Sequence, residues 1–244
     1  MNYQTYDLTG EGRVILKCYL QKWTTTAGHY PKRGAVVVLP GGAYMMHGGS
    51  EGEPVALAFL AQGYQAFVLH YSVGDQARHA IGDAARAVAF LRDHAEEWSI
   101  DPEKIAVCGF SAGGHVAACL GTMWDRADIV ADSGCAAGEG RPNALILGYP
   151  CITADVDGAM EMYGLLAPGC DKETVREQFS AEKFVSDKTP PTFLWNIFGD
   201  QLVPVEHGLR FLTALAAHDV PFESHTYQRG IHGCALATPA TSIG

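Results

Sequence analysis

No apolar run in the 244 residues reaches the ~18 that a membrane-spanning helix needs. There is no cluster of Lys or Arg, and 17 basic residues stand against 27 acidic ones, for a net charge of −10. A nucleic acid or an anionic membrane is therefore not an expected partner. The seven cysteines (18, 108, 119, 135, 151, 170 and 234) form no CxxC pair and show no zinc spacing. Their apolar surroundings read as buried free thiols in a reducing compartment, with no metal site. The N-terminal "MNYQTYDLTGEGRVILKCYL" lacks the basic stretch, apolar core and small-residue cleavage site of an export signal, so a cytoplasmic location is expected. Repeats, low-complexity tracts and linkers are also missing, so a single domain over 1–244 is the economical reading.

What is present is an alternation of two kinds of segment. Short apolar or β-branched runs read as buried strands: "AVVVL" (35–39), "QAFVLHY" (65–71), "KIAVCG" (104–109), "ALILG" (144–148), "TFLWNIF" (192–198) and "FESHTY" (222–227). Between them lie helical patterns at 54–62, 83–98, 112–124 and 205–219. Strand and helix repeated in this way imply an α/β fold, a mostly parallel sheet with helices on both faces. The earlier "RVILKCYL" alternates like an antiparallel edge strand. One interval breaks the rhythm: 151–191 holds a single short helical candidate, "KETVREQFS" (172–180). A segment of that length reads as a small insertion over a site.

Ser111 stands directly after the strand ending at Gly109 and directly before a helix, in Gly109-Phe110-Ser111-Ala112-Gly113. This is the G-x-S-x-G elbow, a sharp turn that crowds the positions two residues away on each side. The helix behind it aims free N–H groups at any negative oxygen forming there. A serine nucleophile needs a base, and the base an orienting acid, in the chain order Ser, Asp or Glu, His. Asp200 follows the strand 192–198 and His232 follows the strand 222–227, so both fall at carboxyl ends of strands. Glu206 is the fallback acid, and His225, inside its strand, is the nearest competing base. The glycines of Pro40-Gly41-Gly42-Ala43-Tyr44 suit backbone donors for an oxyanion, joined by the N–H of Ala112. No GK[ST] follows them, so a phosphate loop is disfavoured. Tyr44 and Met45, just beyond, are candidate substrate contacts.

With "LPGGAY", "SEGEPVALAFLAQGYQAFVLHYSV", "DPEKIAVCGFSAGGHVAA", "GDQLVPVEH" and "GIHG" in place, the chain resembles the α/β-hydrolase superfamily. More narrowly it resembles small bacterial carbohydrate acetylesterases related to acetylxylan esterases. The resemblance implies Ser111 as nucleophile, Asp200 as acid, His232 as base, and Gly42, Ala43 and Ala112 as oxyanion donors, with no cofactor and no metal. The loop reads PGGA where related esterases carry HGGG. Members of the family also run on into a C-terminal helix after "HG", whereas this chain stops at Gly244. Truncation there, or a homodimer partner over the exposed face, is the expectation.

The activity these readings imply is hydrolysis of short-chain acyl esters, chiefly acetyl, of carbohydrates. An amidase of the arylformamidase type or a small peptidase would use the same three residues. A non-catalytic ligand-binding member of the fold is the remaining alternative. The polar stretch 172–180, together with Asp155, Asp157 and Glu161, suits a hydroxyl-rich leaving group better than an acyl tail.

Overall fold

The computed structural model describes residues 1–22, 32–156, 171–239 and 241. Eight strands form one sheet: β1 (Asn2–Asp7), β2 (Ile15–Leu20), β3 (Arg33–Leu39), β4 (Gln65–His70), β5 (Ile100–Phe110), β6 (Ala144–Gly148), β7 (Thr192–Ile197) and β8 (Phe222–Tyr227). Their order is β1-β2-β4-β3-β5-β6-β7-β8. The pairs β1/β2 and β2/β4 are antiparallel, and the pairs from β4 through β8 are parallel.

The helices are α1 (Glu53–Ala61), α2 (Ala77–Asp93), α3 (Ser111–Met123), α4 (Ala127–Ser133), α5 (Lys172–Phe179) and α6 (Glu206–Ala217). Strand periodicity sorts them onto two faces. Val37, Leu39, Phe67, Leu69 and Val107 point into a large core with α2, α3 and α6. Val36, Val38, Ala66, Val68 and Cys108 point the other way, onto Val55, Ala56 and Leu60 of α1. The central strands β3 and β4 are buried on both faces, which is why they read as continuous apolar runs rather than alternating ones. On α2 the spacing of Ala77, Ala80, Ile81, Ala84, Val88 and Leu91 lays one buried stripe along the helix.

Three expectations change. The segment "RVILKCYL" supplies β2, which is antiparallel but not an edge, because β1 pairs along its outer side. β1 alternates half-buried and exposed residues in "NYQTYD", a polar pattern that suits an edge. Helix α2 begins at Ala77, six residues before the apolar stripe was read to start, and α4 was not anticipated. Its stop is a left-handed Gly134 at φ 67°.

The described part of 151–191 does not arch over the sheet's end. Asp171 caps α5 by accepting from the Thr174 N–H at 2.8 Å, and Val175 and Phe179 turn inward to join the α3 core. Asp155 is held by Arg176, Lys183 and Arg210. Asp157, Glu161 and Cys170 lie outside the described residues. Among the described residues, no helix is long and apolar enough to cross a membrane.

Candidate active site

The carboxyl ends of β3, β5, β6, β7 and β8 converge on one cavity of about 430 Å³. Ser111 lies at its base, at the junction of β5 and α3, with φ at 52°. A left-handed conformation is strained for a serine and is sustained only by its surroundings. The close packing of the elbow shows how. A Cβ on Gly109 would come within 2.2 Å of the Gly113 carbonyl oxygen, and one on Gly113 within 2.1 Å of the Leu39 carbonyl oxygen. The two glycines let β5, α3 and the end of β3 meet at backbone contact, and that contact holds the serine up.

The Ser111 hydroxyl is 2.8 Å from His232 Nε2, and His232 Nδ1 is 2.7 Å from Asp200 Oδ2. A carboxylate oxygen only accepts, so Nδ1 carries the imidazole proton and Nε2 is free to accept from the serine. The Asp200 side chain is fully buried. Its other oxygen accepts from the N–H groups of Leu202 and Val203 at 2.9 and 3.0 Å. Burial alone would raise the Asp200 pKa, but the bonds from His232, Val203 and Leu202 outweigh it and leave the carboxyl below its ordinary value. Glu206, the fallback acid, instead pairs with Arg210 on the surface of α6. His225 pairs with Glu223 on the exposed β8.

The loop after β3 carries three consecutive positive φ angles, 133° at Gly42, 54° at Ala43 and 59° at Tyr44. A Cβ at Gly42 would strike the Met46 carbonyl oxygen at 2.2 Å, so this position admits only glycine. The N–H groups of Gly42 and Ala43 bond no acceptor among the described residues. The N–H of Ala112, in the first turn of α3, has no intrahelical acceptor either. Gly42, Ala43, Ser111 and His232 all line the cavity.

Of the two candidate substrate contacts, Met45 lines the cavity together with Met46 and Leu202, each more than 60% exposed. Tyr44 does not. Its ring is fully buried, and its hydroxyl donates to His115 Nδ1 at 2.7 Å. The direction follows from the other ring nitrogen, which must donate to the Phe179 carbonyl 2.7 Å away. Burial pushes the His115 pKa down to about 4, so the ring stays neutral. The reversed φ at Tyr44 turns the side chain inward, where a sequence pattern alone leaves it facing out. From the segment 151–191, only Cys151 among the described residues reaches the cavity. No group of three or more His, Cys, Asp or Glu side chains among the described residues could hold a metal ion.

Residues 23–144, half of the chain, match the BD-FAE family. The chain belongs to that family, and its fold is the α/β-hydrolase fold. Among curated relatives, endo-1,4-beta-xylanase B of Butyrivibrio fibrisolvens is 37% identical over 223 residues, covering 84% of this chain and 33% of its own length. The acetylxylan esterase of Xylanibacter ruminicola is 29% identical over 242 residues, covering 96% of this chain and 46% of its own. The chain thus spans between a third and a half of the length of these two relatives. Among solved structures, the acetyl ester-xyloside bifunctional hydrolase of Caldicellulosiruptor lactoaceticus superposes with a TM-score of 0.81 at 33% identity, over 95% of this chain and 84% of that one.

Glu51 and Tyr149 are among the residues of this BD-FAE chain that border the site without having been read from the sequence. Glu51 is a buried carboxylate on the cavity wall, and Tyr149 packs its ring 4.8 Å from that of His232. Tyr149 directly follows β6, at the carboxyl end of a parallel strand where site residues gather. That position was the available signal. Glu51 has none beyond being the first acid after the glycine loop.

Proposed function

We propose that this protein is a serine esterase that hydrolyses short-chain acyl esters of carbohydrates, chiefly acetyl esters, through an acyl-enzyme. The observation that carries the reading is the continuous hydrogen-bond line Ser111–His232–Asp200, set beside free N–H groups at Gly42, Ala43 and Ala112. The ester carbonyl carbon meets Ser111 Oγ, while His232 Nε2 takes the hydroxyl proton as the C–O bond forms. Asp200 keeps the imidazole in the tautomer that can accept it, and its charge steadies the imidazolium. The oxyanion gains the N–H groups of Gly42, Ala43 and Ala112 along with the N-terminus of α3. His232 then returns the proton to the leaving alcohol. Water attacks the acyl-serine by the same route in reverse, releasing the acid and restoring Ser111.

The names of the relatives support acetylated xylose-type carbohydrates as the substrate class. Among the described residues the cavity of about 430 Å³ carries Met45, Met46 and Leu202 on its exposed side, which is compatible with a leaving sugar and a small acyl group. A fluorophosphonate probe should label wild-type protein at Ser111. Acetate release from acetylated xylo- and manno-oligosaccharides, compared with N-formylkynurenine and short peptide amides, tests the bond. Release from amides but not from esters would replace the esterase reading, and absence of labelling would remove the nucleophile.

A further inference from the structure

The carboxylate of Glu51 is only 4% exposed, and both its oxygens are engaged. Oε2 accepts from the Gly41 N–H at 2.7 Å, and Oε1 accepts from the Tyr149 hydroxyl at 2.7 Å. The Tyr149 oxygen in turn accepts from the Ala235 N–H at 2.9 Å. An amide N–H can only donate, so the direction of the chain is fixed: Ala235 to Tyr149, Tyr149 to Glu51, and Gly41 to Glu51 from the other side. The Gly41 N–H and the Tyr149 hydroxyl both end on one buried carboxylate, and the Ala235 N–H joins it through the Tyr149 oxygen.

The ends of this chain lie on the two loops whose relative position the chemistry depends on. Gly41 immediately precedes Gly42 and Ala43, and the loop closes on itself through Gly48 N–H to Gly41 O at 2.8 Å. A Cβ on Gly41 or on Gly48 would come within 2.8 Å of Glu51 Oε2, so the loop is wrapped tightly around the carboxylate. The same Cβ on Gly41 would be 2.8 Å from Ser111 Cβ, which places the carboxylate's anchor point against the elbow. At the other end, Ala235 lies three residues beyond His232, and the Tyr149 ring packs against the imidazole. Tyr149 itself is held at φ 34°, with its N–H bonded to the Trp195 carbonyl at 2.7 Å. A tyrosine in that conformation is strained, and it is the conformation that turns the phenol toward Glu51. Burial, with the adjacent Glu51 charge, raises the Tyr149 pKa, so the hydroxyl keeps the proton it donates.

We infer that Glu51 and Tyr149 form a positioning pair that fixes the oxyanion-donor loop (Gly41 to Ala43) and the His232 loop in register with each other across Ser111. The inference rests on the esterase reading above. Neither residue is assigned contact with the reacting atoms. Their effect is transmitted through the Gly41 N–H and the Ala235 N–H.

A displacement of about 1 Å in such groups costs on the order of 100-fold in rate. Glu51→Ala is therefore expected to lower kcat for p-nitrophenyl acetate about 100-fold with KM changed less than about 3-fold, and Tyr149→Phe to lower kcat about 10-fold. Affinity for a trifluoromethyl ketone, which forms the oxyanion adduct, should fall in parallel with kcat/KM. The double variant should be no slower than Glu51→Ala, because both changes cut one chain. Glu51→Gln should recover at least half the loss on a logarithmic scale: its carbonyl can accept from Gly41 while its amide donates to the second lone pair of the Tyr149 oxygen. Circular dichroism confirms that each variant is folded at the assay temperature. Tyr149→Phe, which removes one oxygen, carries the test if Glu51→Ala does not fold. Wild-type kcat and ketone affinity in folded Tyr149→Phe, with only Tm lowered, would overturn the inference, as would a folded Glu51→Ala with wild-type kcat. Wild-type protein with neither ester turnover nor ketone binding would instead overturn the esterase reading.

Discussion

Two cavities among the described residues are of nearly equal size, and of these two only one brings polar and titratable side chains together. The first, about 430 Å³, sits at the carboxyl ends of the parallel strands and brings together Ser111, His232, Glu51 and the glycine loop. The second, about 440 Å³, is a groove on the α1 face of the sheet, lined by Val55, Phe59, Phe110, Ile146, Phe193 and Trp195 among others. They share a border, since the loop 230–237 that carries His232 also forms one wall of the groove. The contrast shows that volume and apolarity do not make a site. Strand polarity does, because every parallel strand delivers the residue after its carboxyl end to the same edge. Side chains on the flat of the sheet alternate into packing.

The sharpest test of that contrast is Ser111→Ala. It should lower kcat/KM on order of 10⁴-fold or more and abolish fluorophosphonate labelling, while Tm stays near that of the wild type. Residual activity above a tenth of wild type would move the nucleophile elsewhere. His232→Ala should come close to that loss, whereas His225→Ala should retain most activity, because His225 faces solvent beside Glu223. The reverse ranking would relocate the base.

Asp200→Asn should leave the loop in place but disturb the imidazole tautomer, lowering kcat up to about 10⁴-fold. It also has a pH signature. The Asp200 carboxyl lies below its ordinary value in the folded protein, so its contribution to stability is complete above the unfolded carboxylate value of about 3.9 and is lost as pH falls through the folded value. The Tm gap between wild type and Asp200→Asn should thus be full at pH 6 and close as pH drops below 4. A gap that widened in acid would contradict the bonding seen at this carboxylate.

A smaller effect probes the shape of the cavity at Ser111. Each methylene accepted by an apolar surface contributes up to ~0.8 kcal/mol. On the acetylesterase reading, kcat/KM on p-nitrophenyl esters should be highest for acetate, lower for butyrate and negligible for octanoate. A maximum at hexanoate or beyond would mean that the site has a channel like the neighbouring groove. The smallest effect belongs to the groove itself. Phe59→Ala should cost stability on the order of 1–2 kcal/mol while kcat/KM stays within about 2-fold of wild type. A large kinetic loss would show that the two cavities are coupled.

Local signals made much of this readable in advance. The apolar run at 35–39 is buried on both faces, whereas 144–148 buries Leu145 and Leu147 and turns Ile146 to the groove on the α1 face; Gly109 and Gly113 announce the elbow because no Cβ fits there. Asp200 and His232 were legible from position, each falling just past a strand end. The polar alternation of β1 was passed over because an edge strand needs only half its residues turned inward. Whether Tyr44 meets substrate or packs inward was not legible, because its direction depends on two consecutive left-handed residues, which a sequence shows only when they are glycine.

The sequence by itself determined the strand–helix alternation, the elbow and the placing of Ser111, Asp200 and His232 after strand ends, since each rests on short-range sterics or on periodicity. Only the tertiary structure decided what Glu51, Tyr149 and His115 do, because their partners are 98, 86 and 71 positions away in the chain: Glu51 to Tyr149, Tyr149 to Ala235, and His115 to Tyr44. A buried polar group takes its meaning from the donor or acceptor that meets it, and separations of that length are closed only by the completed sheet.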